Sequence, residues 1–166
     1  YRRQRQMCIR DRNVDFKKLI PNLPIAIPKT AIIGVDEFDH FIDNNNLSEI
    51  AYSDKSYEEI KEAFIQAELT PCLKEKLRNY LEVMKKPLAV RSSGLFEDSL
   101  SQPFAGVYST YLISNNDADI VRRALELEKA IKLVFSSIFT EGSRAYFRAI
   151  GSMIEEEKMA VIIQEV

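Results

Sequence analysis

The sequence predicts a mixed fold of helices and strands, α/β or α+β, from three observations. From Val14 onward, helical and extended patterns alternate along the chain. Apolar, β-branched runs at residues 25–33, 88–92, 107–113 and 159–166 have the composition of strands. Between them, Ile120, Ala124, Leu127, Ile131, Val134 and Ile138 follow a four-three spacing, one apolar stripe on a helix of about five turns.

The elements follow in order. The run 25–33 is interrupted by Pro28, which suits an edge or broken strand. Residues 36–44 form a short helix with Phe38, Phe41 and Ile42 on one face, and Asn44, Asn45 and Asn46 end it. Ser56 and Glu59 have the spacing of a capping box, so a helix starts there and carries Ile60, Phe64 and Ala67 inward. Thr70 and Pro71 supply an N-cap and a first-position proline for a helix reaching about Met84. Strands at 88–92 and 107–113 flank a turn-rich loop that begins with Ser92, Ser93 and Gly94. After a cap formed by Asn115, Asn116 and Asp117 comes the long helix, which Gly142 and Ser143 break before a second helix at about 144–150. Glu155 to Lys158 read as a solvated loop, and the chain closes in the strand 159–166. That last strand is expected to be left without the partners that follow it in sequence and to promote self-association.

Composition narrows the classes. The 166 residues suit one ordinary domain or one lobe of a larger one, and 46% apolar with 29% charged residues is globular composition. A net charge of −2 argues against general binding to nucleic acid or an anionic membrane. Cys8 and Cys72 lie far apart with no Cys or His neighbours, so neither a disulfide framework nor a zinc site is indicated, and a reducing compartment is the default. No apolar run approaches the ~20 residues of a membrane-spanning helix. The opening stretch differs from the rest. Arg2, Arg3, Arg5, Arg10 and Arg12 face a single acid, Asp11, without the apolar core of a secretory signal. Residues 1–13 are therefore set apart as a foreign or disordered basic segment, and 14–166 as the folded part.

Chemistry concentrates after the strand at 88–92. Arg91 offers a planar, permanently charged fork that matches phosphate oxygens two at a time, and the small residues Ser92, Ser93 and Gly94 let backbone N–H groups approach an anion. The competing reading is an ion pair with Glu97 or Asp98. Ser92 and Ser93 have no histidine at a suggestive position, so they are not nucleophiles.

The order Val90-Arg91-Ser92-Ser93, Glu97-Asp98, Phe104-Ala105-Gly106 and Thr110-Tyr111-Leu112 resembles the N-terminal nucleotide-binding domain of phosphoenolpyruvate synthase and pyruvate phosphate dikinase. The resemblance continues through Val134 to Phe139, Ala145 to Arg148 and the closing run from Met159 to Val166. Upstream, the proline-flanked run from Pro24 to Pro28 belongs to it too, so it covers roughly residues 24–166.

The resemblance implies an α+β fold, the first lobe of an ATP-grasp domain that clamps ATP between two lobes. It places Arg91 on the arginine that contacts the transferring phosphates, and Gly106 and Thr110 in the phosphate pocket. Gln164, Glu165 and Val166 fall on the hinge where backbone N–H and C=O groups read adenine. It further implies Mg²⁺ with ligands outside this chain, a cytoplasmic enzyme, and a second lobe and a phosphohistidine domain in the same protein. In that cycle ATP phosphorylates the distant histidine, which then passes the group to pyruvate. His40 has none of the family's glycine-rich histidine context and reads as structural. Gly106 also suits a plain turn, Thr110 a strand residue facing a neighbour, and Phe104 core packing.

Departures bound the expectation. The family's Gly-Gly-Lys segment has no counterpart before Pro24, and the second lobe would lie beyond Val166, so the piece alone is expected to be inactive. Rifampin- or glucan-type phosphotransferases share the arrangement with other acceptors. A non-catalytic nucleotide-sensing or scaffold module, with Arg91 in a structural ion pair, is the alternative from another class.

Overall fold

A computed structural model describes residues 28–94 and 108–166. Glu97, Asp98, Phe104, Gly106, the basic segment and residues 24–27 therefore lie outside the described residues.

The chain begins with strand β1 (Thr30–Ile33), helix α1 (Val35–Asn44) and the single turn α2 (Ser48–Ala51). Helices α3 (Tyr57–Gln66) and α4 (Pro71–Val83) lead to strand β2 (Leu88–Gly94). After strand β3 (Thr110–Ile113) come the long helix α5 (Ile120–Ser136), a 3₁₀ turn (Ser137–Phe139) and helix α6 (Glu141–Ile150). A second 3₁₀ turn (Ile154–Glu156) precedes the last strand, β4 (Met159–Glu165). The mixture of helices with one antiparallel four-stranded sheet is α+β.

Local chemistry sets the helix starts. The Ser56 hydroxyl accepts from the Glu59 N–H while the Glu59 carboxylate receives the Ser56 N–H, closing the capping box. Thr70 accepts from the Leu73 N–H ahead of Pro71. Two starts differ from the sequence expectation. The cap of α5 is Asp119, whose carboxylate accepts from the Val121 N–H. Gly142 and Ser143 do not break a helix; they sit in the first turn of α6, because Thr140 accepts from the Ser143 N–H and starts the helix earlier. The break comes instead at the 3₁₀ turn before Thr140. The run 155–158 is no plain solvated loop either, since Glu157 is buried and Lys158 bonds to Asp39.

The sheet order is β1-β4-β2-β3, antiparallel throughout. Strand β4 therefore lies inside the sheet with both edges paired, which removes the basis for expecting it to drive self-association. Helix α5 packs on β2, β3 and β4 and meets α3 and α4 with its other flank. The core is aromatic there: Phe135 packs on Phe38 and Phe41 at 5.2 and 5.4 Å between ring centroids, and Phe64 packs on Phe41 and Phe139.

Candidate functional site

Strand alternation sorts the residues of β2 onto two faces. Leu88, Val90 and Ser92 are buried, with Leu88 and Val90 in the core that α5 covers, whereas Arg91 points the other way and is exposed. Ser92, Ser93 and Gly94 do not form a turn. They continue β2, paired with Val161, Ala160 and Met159 of β4, so their backbone serves the sheet. Gly94 is required by close packing. A Cβ there would stand 2.7 Å from both a Glu157 carboxylate oxygen and the Tyr108 ring.

The register brings the predicted side chains together on the face away from α5. Arg91 lies opposite Thr110 of β3 on one side and Ile162 of β4 on the other, and Ile162 lies opposite Ile32 of β1. The next row on that face is Leu112, Ala89, Gln164 and Thr30. Paired residues of neighbouring strands share a face, so Arg91, Thr110 and Gln164 form one patch. Two of its apolar members stay uncovered, Ile32 at 54% and Leu112 at 74% exposure, while Ile162 is half-buried and Ala89 buried. Arg91 makes no salt bridge among the described residues. The Gln164 side-chain N–H reaches toward the Thr30 hydroxyl at 3.5 Å.

Glu165 and Val166 are placed differently. Glu165 pairs with Leu88, so its side chain belongs to the opposite face from Arg91. The Lys86 ammonium lies 3.1 Å from its carboxylate and holds that carboxyl below the usual carboxylate range. The Glu165 N–H donates to the Lys29 carbonyl at 2.9 Å, and the Val166 N–H to the Pro87 carbonyl at 3.0 Å. The backbone donors of Glu165 and Val166, two of the three hinge residues, are therefore engaged within the fold.

Two clefts lie elsewhere. The larger, about 610 Å³, runs between the segment 51–57 and α6 and includes Tyr52, Lys55, Arg144 and Arg148. Arg144 is committed there to the carbonyls of Lys55 and Ala51, so its guanidinium serves the fold. The smaller, about 320 Å³, lies beside β1 and α4. Neither contains a predicted site residue. His40 is exposed on α1. Among the described residues, no group of three or more His, Cys, Asp or Glu could hold a metal ion, and no helix is long and apolar enough to cross a membrane.

The sequence reading passed over two buried polar residues, Asn115 and Arg123. A signal existed for each. Asn115 sits in an asparagine run and takes a left-handed φ of 51°, as asparagine readily does. Arg123 lies three residues after Ile120 and four before Leu127, at the edge of the apolar stripe of α5.

The chain is similar to known proteins. Over 143 residues, 84% of this chain, it is 24% identical to a Bacillus subtilis (strain 168) protein described as the uncharacterized phosphotransferase YvkC. Over 77 residues, 46% of this chain, it is 35% identical to the prodigiosin synthesizing transferase PigC of Serratia marcescens. The matches span 16% and 8% of those two proteins, so the chain corresponds to a small part of each. The family model of the pyruvate phosphate dikinase AMP/ATP-binding domain matches residues 12–166. With nearly its whole length inside that match, the chain belongs to the pyruvate phosphate dikinase AMP/ATP-binding domain family.

Proposed function

We propose that this chain is the ATP-holding first lobe of an ATP-grasp phosphotransferase, with the open face of its sheet as the nucleotide floor. Family membership supports ATP as the ligand. The observation that carries the reading is the juxtaposition of Arg91 and Thr110 in one row with Gln164 in the next, all on one face. Arg91 binds the transferring phosphates with its guanidinium fork, and Thr110 adds a hydroxyl donor beside it. Gly106 joins them as a further member of the phosphate pocket.

Adenine stacks over the apolar side chains near Gln164, and the end of β4 reads its edge. Since the N–H groups of Glu165 and Val166 are engaged, the carbonyl oxygens of these last two residues are the groups left to meet the base. A carbonyl accepts from the 6-amino group of adenine and repels the 6-oxo group of guanine, which selects ATP over GTP. Mg²⁺, with ligands outside this chain, supplies charge neutralisation at the phosphates.

The intact enzyme is cytoplasmic and phosphorylates a histidine in another domain, from which pyruvate takes the group to give phosphoenolpyruvate. Without its companion lobe the piece is inactive. Rifampin- or glucan-type acceptors are the variants of this reading. A non-catalytic nucleotide-sensing or scaffold module, with Arg91 in a structural ion pair, is the alternative from another class; the acids named for that pair, Glu97 and Asp98, lie outside the described residues.

The test is Arg91→Lys in the intact protein. Phosphoryl transfer falls about 10²-fold, while ATP affinity changes less than about fivefold, because a point charge cannot replace the fork at the developing charge. Unchanged turnover contradicts the role of Arg91.

A further inference from the structure

Asn115 and Arg123 are almost fully buried, at 1% and 3% exposure, and both are spent on one short segment. The Asn115 side-chain amide donates to the carbonyls of Met84 at 3.0 Å and Lys86 at 2.9 Å. Arg123 donates to the same Met84 carbonyl at 3.3 Å and to that of Leu81 at 2.8 Å. These bonds fix the connector that leaves α4 and enters β2. The connector in turn grips the end of β4, through Pro87, whose carbonyl takes the Val166 N–H, and Lys86, which pairs with Glu165.

This arrangement is costly. Asn115 Oδ1 and Arg123 Nε are buried with no hydrogen-bond partner among the described residues. Apolar side chains of similar size would strand the carbonyls of Leu81, Met84 and Lys86 instead, so the two residues are what satisfies the end of α4 and the connector after it. The same bonds hold the connector in one place.

We infer that Asn115 and Arg123 are positioning residues, which clamp the connector 84–87 and through it set where the base-reading end of β4 stands. The inference rests on the reading that residues 164–166 meet the adenine. Arg91 and Thr110 lie further along the strands and are held by their own ladder to Ile162 and to each other. Loosening the clamp therefore disturbs the base end and spares the phosphate end.

The experiment measures the affinity of the intact protein for ATP, GTP and inorganic tripolyphosphate. Asn115→Gly keeps the left-handed backbone and removes only the amide. It weakens ATP about tenfold, narrows the preference for ATP over GTP, and leaves tripolyphosphate within about twofold. Lys86→Met changes an exposed side chain, leaves the fold intact, and moves ATP the same way by about threefold. A clamp that merely stabilised the fold would weaken ATP and tripolyphosphate together. That result in both variants, or an unchanged ATP-to-GTP preference in both, overturns the inference while the wild-type preference for ATP still upholds the base-reading edge. A wild type that binds ATP no better than tripolyphosphate overturns the base-reading edge, and the clamp with it.

Discussion

The two faces of the four-stranded sheet are built from the same strands and differ in every respect that matters to function. On the helix side, Leu88, Val90, Val161 and Ile163 are buried beneath α5. On the other, Arg91, Thr110 and Gln164 lie among the uncovered Ile32 and Leu112. Alternation along each strand makes this division, so a single register error would exchange core for site. The helix face shows what the lobe needs in order to fold. The open face carries a guanidinium, a hydroxyl and exposed apolar groups that folding does not require, which is the reason for proposing the nucleotide floor there.

Substitutions can break that contrast. Leu88→Ala, under α5, lowers stability by about 2–5 kcal/mol through lost burial and an unfilled cavity, and chemical denaturation measures it. Leu88 tolerating alanine would mean the helix face is not the core. The cap of α4 contributes less: Thr70→Ala costs about 1 kcal/mol by freeing the Leu73 N–H, seen as a lower midpoint of thermal unfolding.

The Lys86–Glu165 pair gives a pH signature. Its folded carboxyl titrates below the ordinary value, so the unfolded state takes up the proton first as the pH falls. The stabilisation is therefore present above the ordinary carboxylate range and fades as the pH drops through the lowered folded value. Lys86→Met should differ from the wild type in thermal midpoint at neutral pH and converge with it in acid. The smallest effect belongs to the open face: Leu112→Ala shifts stability by no more than about 0.5 kcal/mol. A large loss there would mean the face is packed, and the contrast would vanish.

Much of this was legible in the residues. The capping box at Ser56, the Thr70-Pro71 start and the inward faces of α1, α3 and α5 follow from spacing and local hydrogen bonding, which a sequence displays directly. The order of strands was not legible, because pairing across the chain is decided by tertiary packing. Hence β4 was expected to miss the partners that follow it in sequence, whereas it finds both neighbours, β1 and β2, among strands that precede it. The Ser-Ser-Gly run misled for a related reason. Small residues suit a turn, but here they fit a strand whose end packs closely on Glu157 and Tyr108. The site was half legible: the grouping of Arg91, Thr110 and Gln164 needs the register, and the turned-away side chain of Glu165 is a consequence of parity along β4. Asn115 and Arg123 escaped notice because polar residues are expected at the surface.

The most direct test is a methyl NMR titration of the intact protein with a non-hydrolysable ATP analogue. The expected result is that the methyls of Ile32, Thr110, Leu112 and Ile162 shift most, while those of Val90, Ile131 and Ile163 on the helix side shift little. The contrary result is the largest shift at Ile154 and Ala145, in the cleft lined by Arg144 and Arg148, with the open face unmoved.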